Sequence, residues 1–406
     1  MVIVDTALSL RSGDRSGATP SRVRNYNERL VLSVVKNHGP IASSHIAQLT
    51  SLSAQTASVI TRSLLADGMV VRGEPVRSQG KVGKPSSPVA LNPEGALAFG
   101  LRVGRRAADI VLMNIVGGLV DSRTVSYDYP LPHPIEQFAQ HSIEAMTQSL
   151  GPELRSRIVG IGVATPHGIW KLPEETGAPK DALEAWKDHS FETSFASFTD
   201  MNVFTANDAS MACSGEFVFG KSGGMSDFIY FYIGAFVGGG LVLDGRVFLG
   251  RTGNAAAFGS LPINHIDARP NQLVQGASIY VLERALSARE GRSVRLRSTS
   301  DAWTIDDPII AAWVEQTGRS LAVAAVGVSA SVDVHTVIID GNFPAEIKQA
   351  TARHMEDAIN QLEISEIGGM SVALGSLGRS AGAMGAAYQP ITAAHFIEGS
   401  AIGVRV

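Results

Sequence analysis

The stretch LNPEGALAFGLRVGRRAADIVLMNIVGGLVDSRTVSYD (residues 91–128) contains three strand-like runs separated by turn glycines. A helical segment follows at about 134–150, and then a further strand, RIVGIGVATP (157–166). A second run of strands begins at DFIYFYIGAFVGGGLVLDGRVFLG (227–250), and the more helical C-terminal third holds a buried strand, TVIIDG (336–341). Three strands followed by helices, occurring twice, predict an α/β protein with two similar halves.

The composition is that of an ordinary soluble protein: 406 residues, 45% apolar and 18% charged. Apolar runs stop well short of the ~20 residues needed to cross a bilayer. An early acid and the lack of a basic flank make a signal peptide unexpected. Cys213 is the only cysteine, which excludes an internal disulfide and a thiolate metal cluster. We therefore expect a cytoplasmic protein with no membrane partner.

The charge is unevenly distributed along the chain. Residues 1–92 contain 11 Lys or Arg and 5 Asp or Glu, whereas the remainder contains 23 and 33. A basic head on an acidic body favours a nucleic-acid contact made by the head alone. The alternative is a solvated surface that happens to be basic.

The head has the pattern of a winged helix-turn-helix. Residues 1–21 are rich in Ser, Gly and Arg, which is typical of a disordered leader. Apolar residues at helical spacing then predict helices at 27–39, 43–50 and 53–66, with a tight turn before the last. Together with two strand-like runs that follow, these helices predict a DNA-binding domain over residues 22–92.

The third helix has an apolar stripe and a polar face. Ala57, Ile60 and Leu64 belong to the stripe, while Ser53 is also a good N-cap. Small polar side chains let such a helix enter a major groove and meet base edges. The candidate DNA-binding residues on it are Ser53, Gln55, Thr56, Ser58 and Arg62.

The wing is the predicted hairpin of residues 69–75 and 87–92. Its glycine-rich tip carries Arg77, Lys81 and Lys84, which are suited to phosphates or to a narrow minor groove. A small protein-interaction domain is the alternative, but the basic tip and the basic head favour double-stranded DNA.

The stretch FTANDASMACSGE (204–216) places Asn207 and Asp208 between a strand-like run and an alanine-rich helix. A carboxylate there can act as a general base towards a hydroxyl that the neighbouring amide orients. The same two residues could instead cap the helix that follows. The dipeptide by itself favours the cap, and the rest of the chain has to decide between the two.

Residues 22–390 resemble the ROK family, named for its repressors, open reading frames and sugar kinases. The resemblance is carried by these stretches: LSAQTAS, GKVGKPSSPVALNPEG, GIGVATPHG, TANDASMACSGE, YIGAFVGGGLVLDG and LGRSAGAMGAA. Several matches in the right order are more specific than any one glycine-rich piece. The winged helix in front is typical of the family's repressors.

The resemblance implies a fold of two lobes of the actin-like ATPase type with a cleft between them. The lobes would span about 93–205 and 206–390, followed by a C-terminal tail at 391–406. It also implies a homodimer or a dimer of dimers, and a two-fold dimer reads a palindromic operator.

The sequence departs from the family's kinases where ATP and its metal would bind. Arg102 stands where the first phosphate turn has an Asp, which reverses the charge that Mg²⁺ needs. In the second turn Gly-Thr-Gly has become Gly234-Ala235-Phe236, and Asp340 stands where a small residue is expected. We therefore expect no catalytic residue, no cofactor and no enzymatic activity.

The zinc and hexose sites of the family are also incomplete. No cysteine occurs in residues 253–276, and Ser260 stands at the position of the zinc-ligand His, so no metal is expected. Asn207 and Asp208 match the family's hydroxyl-binding pair, but Ala257 and Ser260 replace the Glu and His that complete its grip on a hexose. Unpaired hydroxyls would cost ~1–3 kcal/mol each, so we expect an effector that is smaller, less polar or differently charged.

The sequence thus predicts a DNA-binding transcriptional repressor of carbohydrate-related genes. Its degenerate kinase domain would dimerise and bind an effector, a sugar derivative, at Asn207, Asp208 and Ser260. One alternative is an active sugar kinase with a fused DNA-binding head. Another is a regulator without an effector that a protein partner controls.

Overall fold

The computed structural model describes residues 20–73, 87–171, 178–221, 224–266, 269–296, 303–362 and 368–397. They form two compact units. The first comprises the described residues up to Leu91 together with His395, Phe396 and Ile397, and the second runs from Asn92 to Ala394. No helix in the described part of the chain is long and apolar enough to span a membrane.

The first unit is three helices and a small sheet. Its elements are α1 (Pro20–His38), α2 (Ser43–Thr50), α3 (Ala54–Ala66), β1 (Val70–Arg72) and β2 (Val89–Leu91). Strands β1 and β2 pair antiparallel, and Ile41 forms a bridge with Val89. The helices enclose a core that is closed to solvent; it includes Val31, Val34, Ile46, Ala57, Ile60 and Leu64.

Local signals place the helix ends of this unit. Gly39, with φ +66°, follows α1, and Ser51 at φ +56° ends α2 in the left-handed region. Ser53 caps α3 by accepting a hydrogen bond from Thr56 N at 3.1 Å. Helix α1 begins at Pro20, not at the predicted residue 27, so the helix includes the last two residues of the expected leader. The spacing of apolar residues did not predict the helix over residues 20–26, because Val23 in this part is 43% exposed and does not belong to the buried stripe.

The first half of the second unit forms one five-stranded sheet. Its elements are β3 (Leu97–Val103), β4 (Ala107–Asn114), β5 (Leu119–Ser126), α4 (Pro132–Ser149), α5 (Pro152–Arg155), β6 (Ile158–Thr165), α6 (Phe191–Phe195) and β7 (Val203–Asn207), with 3-10 turns at Pro93–Gly95, Ile169–Lys171 and Lys180–Trp186. The strand order is β5-β4-β3-β6-β7. Strands β3, β4 and β5 pair antiparallel, whereas β3, β6 and β7 run parallel.

The second half contains another five-stranded sheet. Its elements are α7 (Asp208–Phe219), β8 (Phe228–Ile233), β9 (Val237–Leu243), β10 (Arg246–Val247), β11 (Pro262–Ile266), β12 (Arg269–Gln272), α8 (Leu273–Ala277), α9 (Ile279–Glu290), α10 (Pro308–Val332), β13 (Thr336–Gly341), α11 (Ala345–Gln361), β14 (Ser371–Leu374) and α12 (Ala381–His395), with 3-10 turns at Phe258–Ser260 and Gly378–Ser380. The order is β10-β9-β8-β13-β14.

The two sheets share one topology. In each, the first strand lies between an antiparallel second and third strand on one side and a parallel fourth and fifth on the other. The predicted α/β fold with two similar halves is therefore confirmed. The repeat is one of topology, and it was not visible by residue identity.

Helix α12 returns to the first sheet after the second sheet is complete. A Cβ on Gly100 would lie 2.0 Å from Ala383 O, and one on Gly162 would lie 1.8 Å from Ala386 O. The glycines of β3 and β6 therefore allow the helix backbone to lie directly on the strands. The expected second lobe, 206–390, thus contains a helix that covers the sheet of the first.

The last described residues belong to the first unit and not to a separate tail from residue 391. Phe396 is 2% exposed, and its carbonyl accepts a hydrogen bond from Arg29 Nε at 2.8 Å. Ile397 N donates to Ser33 Oγ at 3.0 Å. The C-terminal segment therefore completes the packing around α1.

Candidate functional site

Helix α3 presents one exposed face with three side chains at helical spacing. Gln55 and Arg62 are exposed, and between them Val59 is 51% exposed. Thr56 and Ser58 are half-buried, and the Thr56 hydroxyl lies 2.8 Å from that of Ser53. A polar residue, a methyl-bearing residue and a guanidinium on one face are the groups that read base edges in a major groove.

Val59 was missed by the sequence reasoning, which followed polar residues and the apolar stripe. Its signal is an apolar residue out of phase with Ala57, Ile60 and Leu64, so that it cannot reach the core. The wing residues Arg77, Lys81 and Lys84 lie outside the described residues.

The second unit contains a pocket of about 880 Å³. Asn207 and Asp208 line it at the junction of β7 and α7, Phe236 at the turn between β8 and β9, and Ser260 at its exposed side. The structure thus brings together the three residues that the sequence singled out for ligand binding. His167, which follows β6, also lines the pocket and was not singled out.

Asn207 is the residue that caps α7. Its Oδ1 accepts hydrogen bonds from Ala209 N at 3.0 Å and Ser210 N at 3.1 Å. All three hydrogen bonds of the Asn207 side chain to described residues use its Oδ1, so its Nδ2 can donate to a ligand. Asp208 is the first residue of the helix, and its Oδ1 accepts from Ala209 N at 3.0 Å. Asn207 is therefore the cap of α7, whereas Asp208 both accepts the Ala209 amide and lines the pocket.

Asp208 sits in an environment that disfavours its charge. Burial raises the pKa of its carboxyl above the ordinary value, although Arg102, Arg105 and the Ala209 amide act in the opposite direction. A carboxyl held at this cost at the wall of a pocket is a feature of binding and catalytic sites.

Arg102 and Arg379 converge on one carboxylate. Arg102 Nη1 lies 3.4 Å from Asp109 Oδ2, and Arg379 Nε donates to Asp109 Oδ1 at 2.8 Å. Thr124 Oγ1 donates to the same oxygen at 2.8 Å. Burial by itself lowers the pKa of Arg102, but Tyr232, Asp109 and Asp208 raise it overall, so the guanidinium stays charged. The guanidiniums of Arg102 and Arg379 thus share the carboxylate of Asp109 in the lining of the pocket.

The turn between β8 and β9 is filled by side chains. Arg105 Cζ lies 3.7 Å from the centroid of the Phe236 ring, and the Phe236 and Tyr280 rings lie 5.0 Å apart. Gly234 O and Ala235 O accept hydrogen bonds from the first amides of α9, at 3.1 and 3.2 Å. The backbone of this turn is therefore tied to α9 and covered by an aromatic ring.

The glycines after this turn serve packing. A Cβ on Gly238 would lie 2.8 Å from Ala209 Cβ, and one on Gly240 would lie 2.2 Å from Cys213 Cβ. Strand β9 thus needs glycine because α7 lies against it. This packing accounts for the glycine run at residues 238–240, which by sequence alone would suggest a phosphate-binding loop.

These residues do not fit Mg-ATP. Backbone amides cradle phosphates only where nearby side chains are small, and the metal needs oxygen ligands. Phe236 covers the turn, and Arg102, paired with Asp109, stands at the position where the family's kinases are expected to have an Asp.

Asp340 proves to be structural and does not line the pocket. Its carboxylate is fully buried, where it accepts from Lys348 Nζ at 2.6 Å, Tyr230 OH at 3.1 Å and Gly378 N at 3.0 Å. Glu216 similarly accepts from the backbone amides of Ser376 and Leu377 at 3.0 Å. Two buried acids therefore fix the segment that leads into α12.

Comparisons with known proteins agree with this architecture. The profile described as "ROK family" matches residues 98–391. The uncharacterized protein y4fQ of Sinorhizobium fredii is 26% identical over 91% of each chain. The xylose repressor of Caldicellulosiruptor bescii is 26% identical over 60% of each chain, so this chain spans only about three fifths of that repressor.

A solved ROK family transcriptional regulator, a homolog of the E. coli MLC protein, has the same fold. It superposes with a TM-score of 0.67 over 92% of this chain and 97% of its own, at 20% identity. Because the profile spans well over half of the sequence, the chain belongs to the ROK family.

Proposed function

We propose that the protein is a DNA-binding transcriptional repressor of carbohydrate-related genes whose second unit binds a small effector instead of ATP. The observation that carries the proposal is the pocket itself: Asn207 and Asp208 line it, while Phe236 and Arg105 fill the turn that a nucleotide would need. Similarity to a protein named as a xylose repressor supports the same function.

The first unit reads the operator. Gln55, Val59 and Arg62 contact base edges, with Val59 available for a thymine methyl group. Ser53, Thr56 and Ser58 lie beside them at the start of α3 and contact the backbone or the bases, while Arg77, Lys81 and Lys84 neutralise phosphates.

The second unit senses the effector. Asn207 Nδ2 can donate to a ligand hydroxyl, and the Asp208 carboxylate can accept from one. Ser260 adds a hydroxyl at the exposed side of the pocket. The same groups have no phosphoryl donor to act upon, so the protein binds its ligand without turning it over.

The protein acts as a homodimer. A two-fold dimer places two α3 helices on the two half-sites of a palindrome, spaced by whole helical turns. The effector releases DNA only as far as it prefers one conformation of the protein, so a useful switch needs a differential affinity of ~1–3 kcal/mol.

An in vitro selection from random duplex DNA tests the proposal. The full-length protein is expected to enrich a palindrome and to protect both half-sites from cleavage at ~0.15 M salt. A screen of sugars and sugar derivatives is then expected to find a compound that releases that palindrome and stabilises the protein to heat. Enrichment of no sequence by a folded, dimeric protein would refute the repressor function.

A further inference from the structure

Strand β8 carries two tyrosines on one face of its sheet. Tyr230 and Tyr232 are two positions apart, so their side chains leave the strand on the same side, and their rings lie 6.5 Å apart. Both residues are buried, at 0% and 5% exposure. Their hydroxyl groups differ in what they contact.

The Tyr230 hydroxyl is paired inside the fold. It donates to Asp340 Oδ2 at 3.1 Å, and the same carboxylate accepts from Lys348 Nζ at 2.6 Å and from Gly378 N at 3.0 Å. Tyr230 does not line the pocket. Its hydroxyl therefore serves the structure of the second unit.

The Tyr232 hydroxyl lacks such a partner. Tyr232 lines the pocket, and its hydroxyl has no hydrogen-bond partner among the described residues. Burial raises the pKa of Tyr232 more than Arg102 lowers it, so the hydroxyl keeps its proton and can donate. Buried polar groups are nearly always paired, so this hydroxyl calls for an acceptor that the described fold does not supply.

The Tyr232 ring lies beside the residues that line the pocket. A Cβ on Gly234 would lie 3.3 Å from Tyr232 Cε1, which places the ring against the turn between β8 and β9. Arg102 Cζ lies 5.4 Å from the centroid of the ring. The carboxyl of Asp208 raises the pKa of Tyr232, so these two groups are close enough to interact.

The Tyr232 hydroxyl is closed to solvent in this conformation. A ligand oxygen can therefore reach it only when the lining of the pocket rearranges. A contact of this kind is made in one conformation and not in the other. Only such a difference in affinity lets a ligand shift a conformational equilibrium.

We infer that the Tyr232 hydroxyl donates a hydrogen bond to an oxygen atom of a polyhydroxylated effector held at Asn207 and Asp208, and that this bond forms only in the conformation that releases DNA. The inference rests on the proposed function of the pocket as an effector site. It adds the residue whose contact makes effector binding favour release. Asn207 Nδ2 and the Asp208 carboxyl pair with other hydroxyl groups of the same ligand.

Tyr232→Phe in the full-length protein tests the inference. The probes are D-xylose, L-arabinose, D-glucose, D-galactose, xylitol and sorbitol, and their binding is measured by calorimetry. For the probe that binds the wild type most tightly, the variant is expected to bind roughly tenfold more weakly. It is also expected to keep part of the selected operator bound at a saturating concentration of that probe, because the contact that favours release is missing.

Tyr230→Phe is the matched control on the same strand. It should change affinity for the probe less than roughly threefold, but it should melt earlier than the wild type, since Asp340 loses a donor. Tyr232→Phe should melt no earlier than the wild type, because its hydroxyl has no partner to lose. The two variants thus separate a ligand contact from a structural one.

Monodeoxy analogues of the same probe identify the oxygen atom that Tyr232 contacts. One analogue is expected to bind the wild type more weakly than the parent compound, by about the factor that Tyr232→Phe causes. The same analogue should bind the Tyr232→Phe variant as well as the parent does, since the two changes remove one interaction.

The inference is overturned if no probe binds the wild type, if Tyr232→Phe leaves affinity and operator release unchanged, or if both tyrosine variants lose affinity equally. It is also overturned if Tyr232→Phe melts as early as Tyr230→Phe, because the hydroxyl is then structural. In each of these cases the repressor function stands as long as the protein selects a palindrome. If the protein selects no DNA sequence, the repressor function fails whatever the pocket binds.

Discussion

The guanidinium carbon of Arg105 lies 3.7 Å from the centroid of the Phe236 ring, on the turn between β8 and β9. Stacking of this kind is worth ~0.5–2 kcal/mol, depending on how far the cation is desolvated. Tyr280 supports the ring from α9, with its centroid 5.0 Å away. The turn is therefore held closed by side-chain contacts, and opening it to a phosphate would require their loss.

We predict that the protein neither binds Mg-ATP nor phosphorylates glucose, mannose, fructose or N-acetylmannosamine. Phe236→Gly alone should not produce activity, because Arg102, which pairs with Asp109, still stands where the family's kinases have an Asp for the metal. Calorimetry with Mg-ATP and a coupled kinase assay check this, with a ROK hexokinase as the positive control. Turnover that Asp208→Asn abolishes would contradict the prediction and establish a kinase.

We predict that α3 determines which sequence is bound. Gln55→Ala, Val59→Ala and Arg62→Ala should each cost ~1–3 kcal/mol on the preferred operator and relax the preference at one base pair. Affinities for the operator and its single-base variants give the measurement. Val116→Ala, at a valine that is 45% exposed in the second unit, is the control. An unchanged base preference in all three variants would exclude α3 as the reading helix.

We predict that the wing supplies affinity without selectivity. Replacing both Lys81 and Lys84 by Ala should weaken binding to every duplex and reduce the slope of log affinity against log salt by about 2, since each phosphate contact contributes ~0.9. Titrations at several salt concentrations measure the slope. Lys187→Ala, a lysine of the second unit paired with Glu184, is the control. Normal affinity of the double variant at ~0.15 M salt would show that the wing assignment is wrong.

The sequence was sufficient for the elements that depend on local signals. Strand β13 was predicted with its observed limits, Thr336–Gly341, because it is a short apolar run between turns. Helix α3 was predicted within a residue, since Ser53 caps it and its apolar stripe faces the core. The start of α1 was missed because Val23 and Tyr26 are exposed, so burial gives no pattern there.

The arrangement of the pocket could be anticipated only in part. Family motifs placed Asn207, Asp208 and Ser260 together, as the structure does. The sharing of Asp109 by Arg102 and Arg379 joins positions 270 residues apart, and no local pattern reports such a pairing. Asp340 stands at a position where the family's kinases have a small residue, but the sequence could not predict that its carboxylate is buried against Lys348, because a sequence position does not give the direction of a side chain.

We predict that the C-terminal segment stabilises the DNA-binding unit. Phe396 is 2% exposed, so Phe396→Ala should cost ~3–5 kcal/mol of that unit's stability by leaving a cavity beside α1. Hydrogen exchange at the amides of α1, followed by mass spectrometry, measures the loss in the full-length protein. Leu362→Ala, at a side chain that is 37% exposed, should change little. Equal protection of α1 in the Phe396 variant and in the wild type would show that the segment is dispensable.

The last prediction separates the two members of the Asn207–Asp208 pair. Asn207 Oδ1 accepts two amide hydrogen bonds of α7, so Asn207→Ala should cost ~0.5–2 kcal/mol of stability as a lost helix cap. Asp208→Asn should do the opposite at neutral pH. Burial raises the folded-state pKa of Asp208 above its ordinary value of 3.8, so the folded protein loses stability as the pH rises from 3.8, and the loss is complete once the pH exceeds that raised pKa. The variant should therefore melt later than the wild type at pH 7, and the difference should shrink as the pH falls towards 3.8.

If Asp208 contacts the effector, its carboxylate serves binding at the expense of stability. Asp208→Asn should accordingly keep operator binding but lose release by the effector, giving a repressor that cannot be induced. Melting temperatures between pH 4 and 7, together with operator release by the compound found in the screen, measure both effects on the same two variants. An Asp208→Asn protein that melts earlier than the wild type at pH 7, yet responds fully to the effector, would assign Asp208 to the fold and remove it from the site.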